Sequence, residues 1–246
     1  QWDNGKSTGK GTEFDVDGNL LYTGNFKNQR REGFGTQYNE NGDIVYIGNW
    51  KNDKYDGYGS LHLENGNYIK GIFENGNISN NAEEFDECGF KIYEGEWSNN
   101  KYNGHGCKYF KNGGRYEGKF VNGEPYGYLS GYDCEGELVY EGEWKNDMFN
   151  GNGSYYMNGE KVYDGSFVDN NFHGNGFEYK DGIYVYSGGF RNSRRCGFGT
   201  SYSNGKPIYS GTWLNDLYDG LGILFENGEP VLAGEFSKGK KSGRAN

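Results

Sequence analysis

The sequence predicts an all-β chain of tandem β-hairpins in a single layer. Three observations predict it. A pattern returns every 23 or 24 residues. Inside each period, aromatic residues and glycines occupy alternate positions in two short runs. Between the runs lie stretches rich in Asn, Asp and Gly. Alternation with a period of two is the signature of a strand, and two such runs joined by turn residues read as a hairpin. A fixed period of this length marks a repeat architecture, so the repeat is read before any single residue.

The first strand of each unit carries Tyr-x-Gly-x-Trp/Phe. Its glycine falls at Gly24, Gly48, Gly71, Gly95, Gly118, Gly142, Gly165, Gly188, Gly211 and Gly234, which gives about ten units across residues 1–246. The second strand opens with Gly-x-Gly, as at Gly151/Gly153 and Gly174/Gly176, and Gly243 closes the series. In "EWKNDMFNGNG" residues 145–150 are expected to form the turn, with Asp147 where a left-handed backbone is tolerated. "MNGEK" then returns the chain to the next tyrosine.

Register follows from this spacing. Trp144 is expected opposite Gly151, Gly142 opposite Gly153 and Tyr140 opposite Tyr155, with Gly151 also opposite Phe167 of the next unit. Rings on alternate strands would then sit roughly 9.6 Å apart over bare glycine backbone. Gly151 reads as a socket shared by Trp144 and Phe167. Such burial needs no second layer and stabilises by roughly 1.5–3 kcal/mol per covered ring. The opposite face, with Glu141, Glu143, Ser154 and Tyr156, reads as solvated.

Composition narrows the class. Hydrophobic residues are 33% of the chain, low enough with a net charge of −10 to suggest disorder, but 18% aromatics in strict period exclude it. The acidic balance lacks the basic footprint of a nucleic-acid partner. No apolar run is long enough for a membrane-spanning helix. The chain opens at Gln1 without Met and stops at "SGRAN" inside a repeat, which reads as a segment of a longer protein. Cys88, Cys107, Cys134 and Cys196 have no metal-ligand spacing and are expected to be reduced. His62, His105 and His173 occupy unrelated repeat positions, so no catalytic constellation, cofactor or metal site is expected. Gly-x-Gly precedes no helix, which excludes a phosphate loop.

Ten units in phase resemble the MORN (membrane occupation and recognition nexus) repeat family. That resemblance implies an elongated, twisted single-layer antiparallel sheet with a shallow groove. It also implies roles in cytoskeletal or ciliary scaffolds, membrane tethers, or modules attached to enzymes. Two units depart from the pattern. After Phe73 the chain reads "ENGNISNNAEEFDECGF", with Asn and Ala for Gly-x-Gly and an acidic run Glu83, Glu84, Asp86, Glu87. This unit, near 71–92, is expected either to bend, bulge or contact a partner or to be a simply decayed repeat, and its acidic run to repel itself. The Tyr116 unit has Leu129 in place of the second glycine.

The expected function is a non-catalytic protein–protein interaction scaffold of the cytoplasm, in the cytoskeleton or a cilium and its axoneme. Its partners are other proteins, a second copy or a larger assembly. The expected contact residues are the aromatic trough of Tyr93, Trp97, Phe120, Tyr140, Trp144, Tyr163, Phe167, Phe190 and Trp213. The alternative is a phospholipid-binding module whose head-group contacts are Arg30, Arg31, Arg194 and Arg195, with the Lys238–Arg244 tail. Membrane binding is not favoured, because acidic residues would face the same bilayer. Choline-binding wall repeats share the aromatic and glycine content but lack Gly-x-Gly.

Overall fold

The computed structural model describes residues 2–3 and 6–242, so Gly243 and Arg244 lie outside the described residues. Among the described residues there are 23 strands and no helix. The strands form two compact units, one running to Gly113 and including Lys119–Glu124, the other Gly114–Gly118 with Pro125 onward. Within each unit, strands pair antiparallel with their neighbours in chain order. The extensive contacts run between consecutive strands. The core of each unit therefore lies on one face of a single sheet.

The hairpin turn is shorter than residues 145–150. Strand Leu138–Lys145 ends directly before Asn146 and Asp147, and strand Met148–Met157 begins directly after them. Both turn residues are left-handed, with φ of 51° and 59°. Two left-handed central residues match the twist of the flanking strands, and Asn and Asp accept that backbone at low cost. The return turn, Asn158-Gly159, has φ of 52° and 76°.

Gly142 faces Gly153, Tyr140 faces Tyr155, and Gly151 faces Phe167, as the spacing requires. Trp144 does not face Gly151. It faces Phe149, because the ladder slips between Gly142 and Trp144. The same slip recurs at Gly48/Trp50, Gly95/Trp97 and Gly211/Trp213. The bulge in each of these hairpins re-aims the residues that follow it.

The bulge divides the glycines into two kinds. Gly151 has φ of 63°, and a Cβ there would meet the Glu143 carboxylate rather than Trp144 or Phe167. It is a backbone glycine, required for its left-handed conformation, and not the expected ring socket. The socket is the pair Gly142/Gly153. A Cβ on either would run into the hydroxyl end of the Tyr140 ring. Gly48/Gly59, Gly165/Gly176 and Gly188/Gly199 hold Tyr46, Tyr163 and Tyr186 in the same way.

The two departing units differ: one replaces both ring and glycine, the other keeps its tyrosine and replaces the second glycine alone. At the unit near 71–92, Ile69 replaces the tyrosine and Ala82 the second glycine, and both are buried. The Ala82 methyl occupies space that a tyrosine would need, and Gly71 still pairs with Ala82. Its ladders slip between Gly71 and Phe73 and between Lys91 and Tyr93, as those of regular units do, so no extra bulge marks this unit. At the other, Leu129 is buried beside Gly118. Tyr116 there tilts against Trp144 at 34° and donates to Asp147. Two members of the acidic run have basic partners. Glu83 pairs with Lys91, and Asp86 pairs with Lys111 at 2.9 Å.

Candidate functional site

The inner face of each unit is a trough whose floor is the motif aromatics. Tyr22, Tyr46, Tyr93, Tyr140, Tyr163, Tyr186 and Tyr209 are fully buried. Tyr140 shows why. Its ring stands edge-on to Trp144 and Phe167, with centroids at 5.5 and 5.0 Å, and lies flat on Phe149 at 3.9 Å. Its hydroxyl donates to the Glu143 carbonyl at 3.0 Å. Each edge-on pair is worth about 0.5–1.5 kcal/mol beyond the area it buries. Tryptophans bind the trough together further: Trp50 Nε1 donates to the Gly35 carbonyl, Trp97 to Ala82 and Trp213 to Gly199, at 3.0–3.2 Å.

Burial pushes the tyrosine hydroxyls up. Tyr22 rises to about 12, opposed by the nearby Arg31 guanidinium, and Tyr46, Tyr93, Tyr140, Tyr163 and Tyr186 rise further. They are protonated donors at neutral pH.

The expected contact residues are placed as floor. Tyr93, Trp97, Phe120, Tyr140, Tyr163, Phe167, Phe190 and Trp213 are buried, and Trp144 is half-buried. They define the trough, but their rings are spent on one another. Two further rows form its accessible surface. The first lies nine residues after each motif tyrosine and comprises Tyr55, Tyr102, Phe149, Phe172 and Tyr218, all half-buried. Each stacks on its tyrosine at 3.7–3.9 Å with planes within 12°. The second lies fifteen residues after the tyrosine and includes Gln37, Leu61, Tyr155, Glu178 and Leu224. The constant nine-residue offset was present in the sequence, hidden because two of its positions carry arginine.

Those arginines are Arg31 and Arg195. Arg31 lies 4.8 Å over the Tyr22 ring and binds Glu13 at 3.0 Å, with its side chain 17% exposed. Arg195 lies 4.6 Å over Tyr186 and binds Glu178 at 2.9 Å, 22% exposed. Both guanidiniums fill the slot that Phe149 or Tyr218 fills elsewhere, a cation–π contact worth about 1–2 kcal/mol when desolvated. Arg30 and Arg194 stay exposed, Arg30 within 4.0 Å of Asp53. The structure thus splits each expected basic pair into one trough residue and one surface residue.

Hairpins are stitched at their turns. Phe149 N donates to Asn170 Oδ1 at 2.7 Å, and Asn170 N returns to the Phe149 carbonyl at 3.0 Å. Arg195 N and Arg31 N repeat the contact with Asp216 and Asp53 at 2.8 and 2.7 Å. Turn polarity therefore fixes the row that faces the trough.

His62, His105 and His173 lie on separate strands, and among the described residues no disulfide joins the cysteines. Among the described residues no group of His, Cys, Asp and Glu is placed to hold a metal ion.

A single-layer array of bulged hairpins around tyrosine-filled glycine pairs defines a class of repeat interaction module. The MORN repeat profile matches residues 1–20, 22–44, 46–68, 93–115, 140–161, 163–184, 186–206, 209–229 and 233–245. The chain belongs to the MORN repeat family, whose repeats are generally protein or lipid interaction modules and whose members are typically non-catalytic scaffolds. The two long unmatched stretches, 69–92 and 116–139, contain Ile69/Ala82 and Tyr116/Leu129, the two altered units. A search of curated proteins returns no match. Among solved structures, BamB from Moraxella catarrhalis is similar at 9% identity and a TM-score of 0.20, over 96% of this chain and 78% of that one, a likeness too slight to argue from.

Proposed function

We propose that this chain is a non-catalytic scaffold that holds an extended segment of another protein along its aromatic trough. The observation that carries the reading is the half-buried ring row, Tyr55, Tyr102, Phe149, Phe172 and Tyr218, fixed over a saturated floor. Rigid aromatics held at regular spacing supply contact area at little entropic cost. A cytoskeletal or ciliary setting is supported by the family resemblance alone. The phospholipid reading is weakened by Arg31 and Arg195, which are engaged with Glu13 and Glu178.

The test is panning of a displayed random-peptide library on the immobilised chain, beside sedimentation with phosphoinositide-containing vesicles at physiological salt. We expect enriched peptides that lose binding when Phe149 and Phe172 become Ser, and no sedimentation. Vesicle binding abolished by changing Arg30, Arg31, Arg194 and Arg195 to Ala, with no enriched peptide, overturns the reading.

A further inference from the structure

An open recess of about 370 Å³ lies in the trough beside Trp213 and Tyr218, with Arg195 and Ser201 in its wall, and another lies at the same repeat position in the altered unit. Regular units carry at this position a motif tyrosine and the residue packed on it, such as Tyr46 with Tyr55 or Tyr186 with Arg195. In the altered unit the equivalent residues are Ile69 and Ile78. With Leu61, Leu63 and Trp97 they line an open recess of about 410 Å³, rimmed by Asn100, Lys101, Asn122 and Gly123. Its walls are mainly apolar, with one buried exception.

That exception is Glu84, 8% exposed. Asn67 Nδ2 donates to its Oε1 at 2.7 Å, and the Tyr102 hydroxyl to its Oε2 at 2.6 Å. Among the described residues no basic side chain lies within ion-pair distance of it. Its hydrogen-bond partners are neutral donors, and the place beside it for a cationic partner is the recess.

The chain itself shows what a carboxylate at this register position binds. Glu13, Glu84 and Glu178 occupy one row, each opposite a motif tyrosine: Tyr22, Tyr93 and Tyr186. Glu13 holds the Arg31 guanidinium and Glu178 that of Arg195. Glu84 receives the Tyr102 hydroxyl instead and has the apolar recess beside it. An aliphatic recess ending at a carboxylate matches one chemistry, a long methylene stem with a cationic head. We infer that the recess receives a lysine or arginine side chain from an extended segment of a partner protein. The stem lies against Leu61, Ile69 and Ile78, and the head on Glu84. Lys101 at the rim opposes an incoming cation, so the head group reaches Glu84 through the apolar side. This deepens the trough reading and rests on it.

Two variants test the inference against peptides enriched by panning. Glu84→Gln keeps the shape and one of the two acceptor oxygens, for Tyr102 or for Asn67, while removing the charge. Ile78→Tyr fills the recess with the ring found at Tyr55 and Tyr102 and leaves Glu84 in place. We expect the enriched peptides to share one fixed basic position, and a synthetic peptide to bind Glu84→Gln about tenfold or more weakly. Changing that basic residue to norleucine should cost as much on the wild-type chain and nothing further on Glu84→Gln, while Ile78→Tyr should block binding. Peptides without a shared basic residue, or binding unchanged in both variants, overturn the inference and leave the trough reading intact. Failure to enrich any peptide overturns both.

Discussion

The hairpin around Tyr140 and the hairpin around Ile69 solve the same packing problem in opposite ways. In the first, a large ring is buried on the inner face, and Gly142 and Gly153 are bare so that it can lie there. In the second, a smaller branched side chain is buried, and Ala82 supplies the methyl that the ring no longer displaces. Ring and glycine are two halves of one volume, and exchanging both preserves the ladder. The Ile69 hairpin is therefore a second packing solution, and its aliphatic filling makes the recess beside Glu84 apolar.

The largest expected difference lies at the second glycine. Gly153→Val puts a branched side chain into the Tyr140 ring and should cost about 4 kcal/mol or more. Ala82→Val enlarges a site without a ring and should cost about 1–2 kcal/mol. Urea unfolding of the two variants measures the gap, and equal losses would remove the distinction between the hairpins.

Next comes the bulge position. Gly151 has φ of 63° and its counterpart Asn80 has φ of 62°, so both hairpins need a left-handed residue there. Gly151→Asn should cost under about 1 kcal/mol and Gly151→Val about 2 kcal/mol or more, since a branched side chain resists that conformation. Thermal melts that rank the two alike would mean the constraint is space rather than backbone.

How far the sequence reveals this structure depends on the bulge. Period and alternation suffice for the pairings Gly142–Gly153, Tyr140–Tyr155 and Gly151–Phe167, which lie on the regular side of the slip. They fail for Trp144, because the bulge sits between it and Gly142 and places it opposite Phe149. Simple alternation has no term for a left-handed residue, so Gly151 reads as a socket when its work is to turn the chain. The trough is legible as a row of rings. Which rings stay accessible is not, because Tyr140 and Phe149 are both aromatic and only the fold distinguishes floor from surface. The pairing of Arg31 with Glu13 was equally hidden, since it joins residues from different hairpins.

Alkali should separate the hairpins by chemistry. Burial raises Tyr22 to about 12 and Tyr46, Tyr93, Tyr140, Tyr163 and Tyr186 further, whereas Ile69 has nothing to titrate. A hydroxyl raised above its unfolded value of about 10 contributes stability that is complete below that pH and lost as pH climbs through the folded value. Stability should therefore hold up to about pH 10 and fall steadily beyond it, as melts followed with tyrosinate absorbance would show. A decline beginning near neutrality would contradict the burial of these hydroxyls.

The smallest effect concerns the stacked row. If Arg195 fills an aromatic slot, Arg195→Phe should change stability by less than about 1 kcal/mol, the new stack offsetting the lost pair with Glu178. Arg195→Ala, which leaves the slot empty, should cost about 1–2 kcal/mol. Equal melting temperatures for the two variants would show that the slot contributes nothing.

The coupling of ring and glycine is tested most directly by grafting the Ile69 solution into the Tyr140 hairpin. Tyr140→Ile and Gly153→Ala are each expected to destabilise, one by leaving a void and the other by displacing the ring. Unfolding free energies for both singles and the double complete a double-mutant cycle. The double variant should lose less than the sum of the singles by at least about 1 kcal/mol. Additive losses, within about 0.5 kcal/mol, would show that Ile69 and Ala82 arose independently and that ring and glycine do not share one volume.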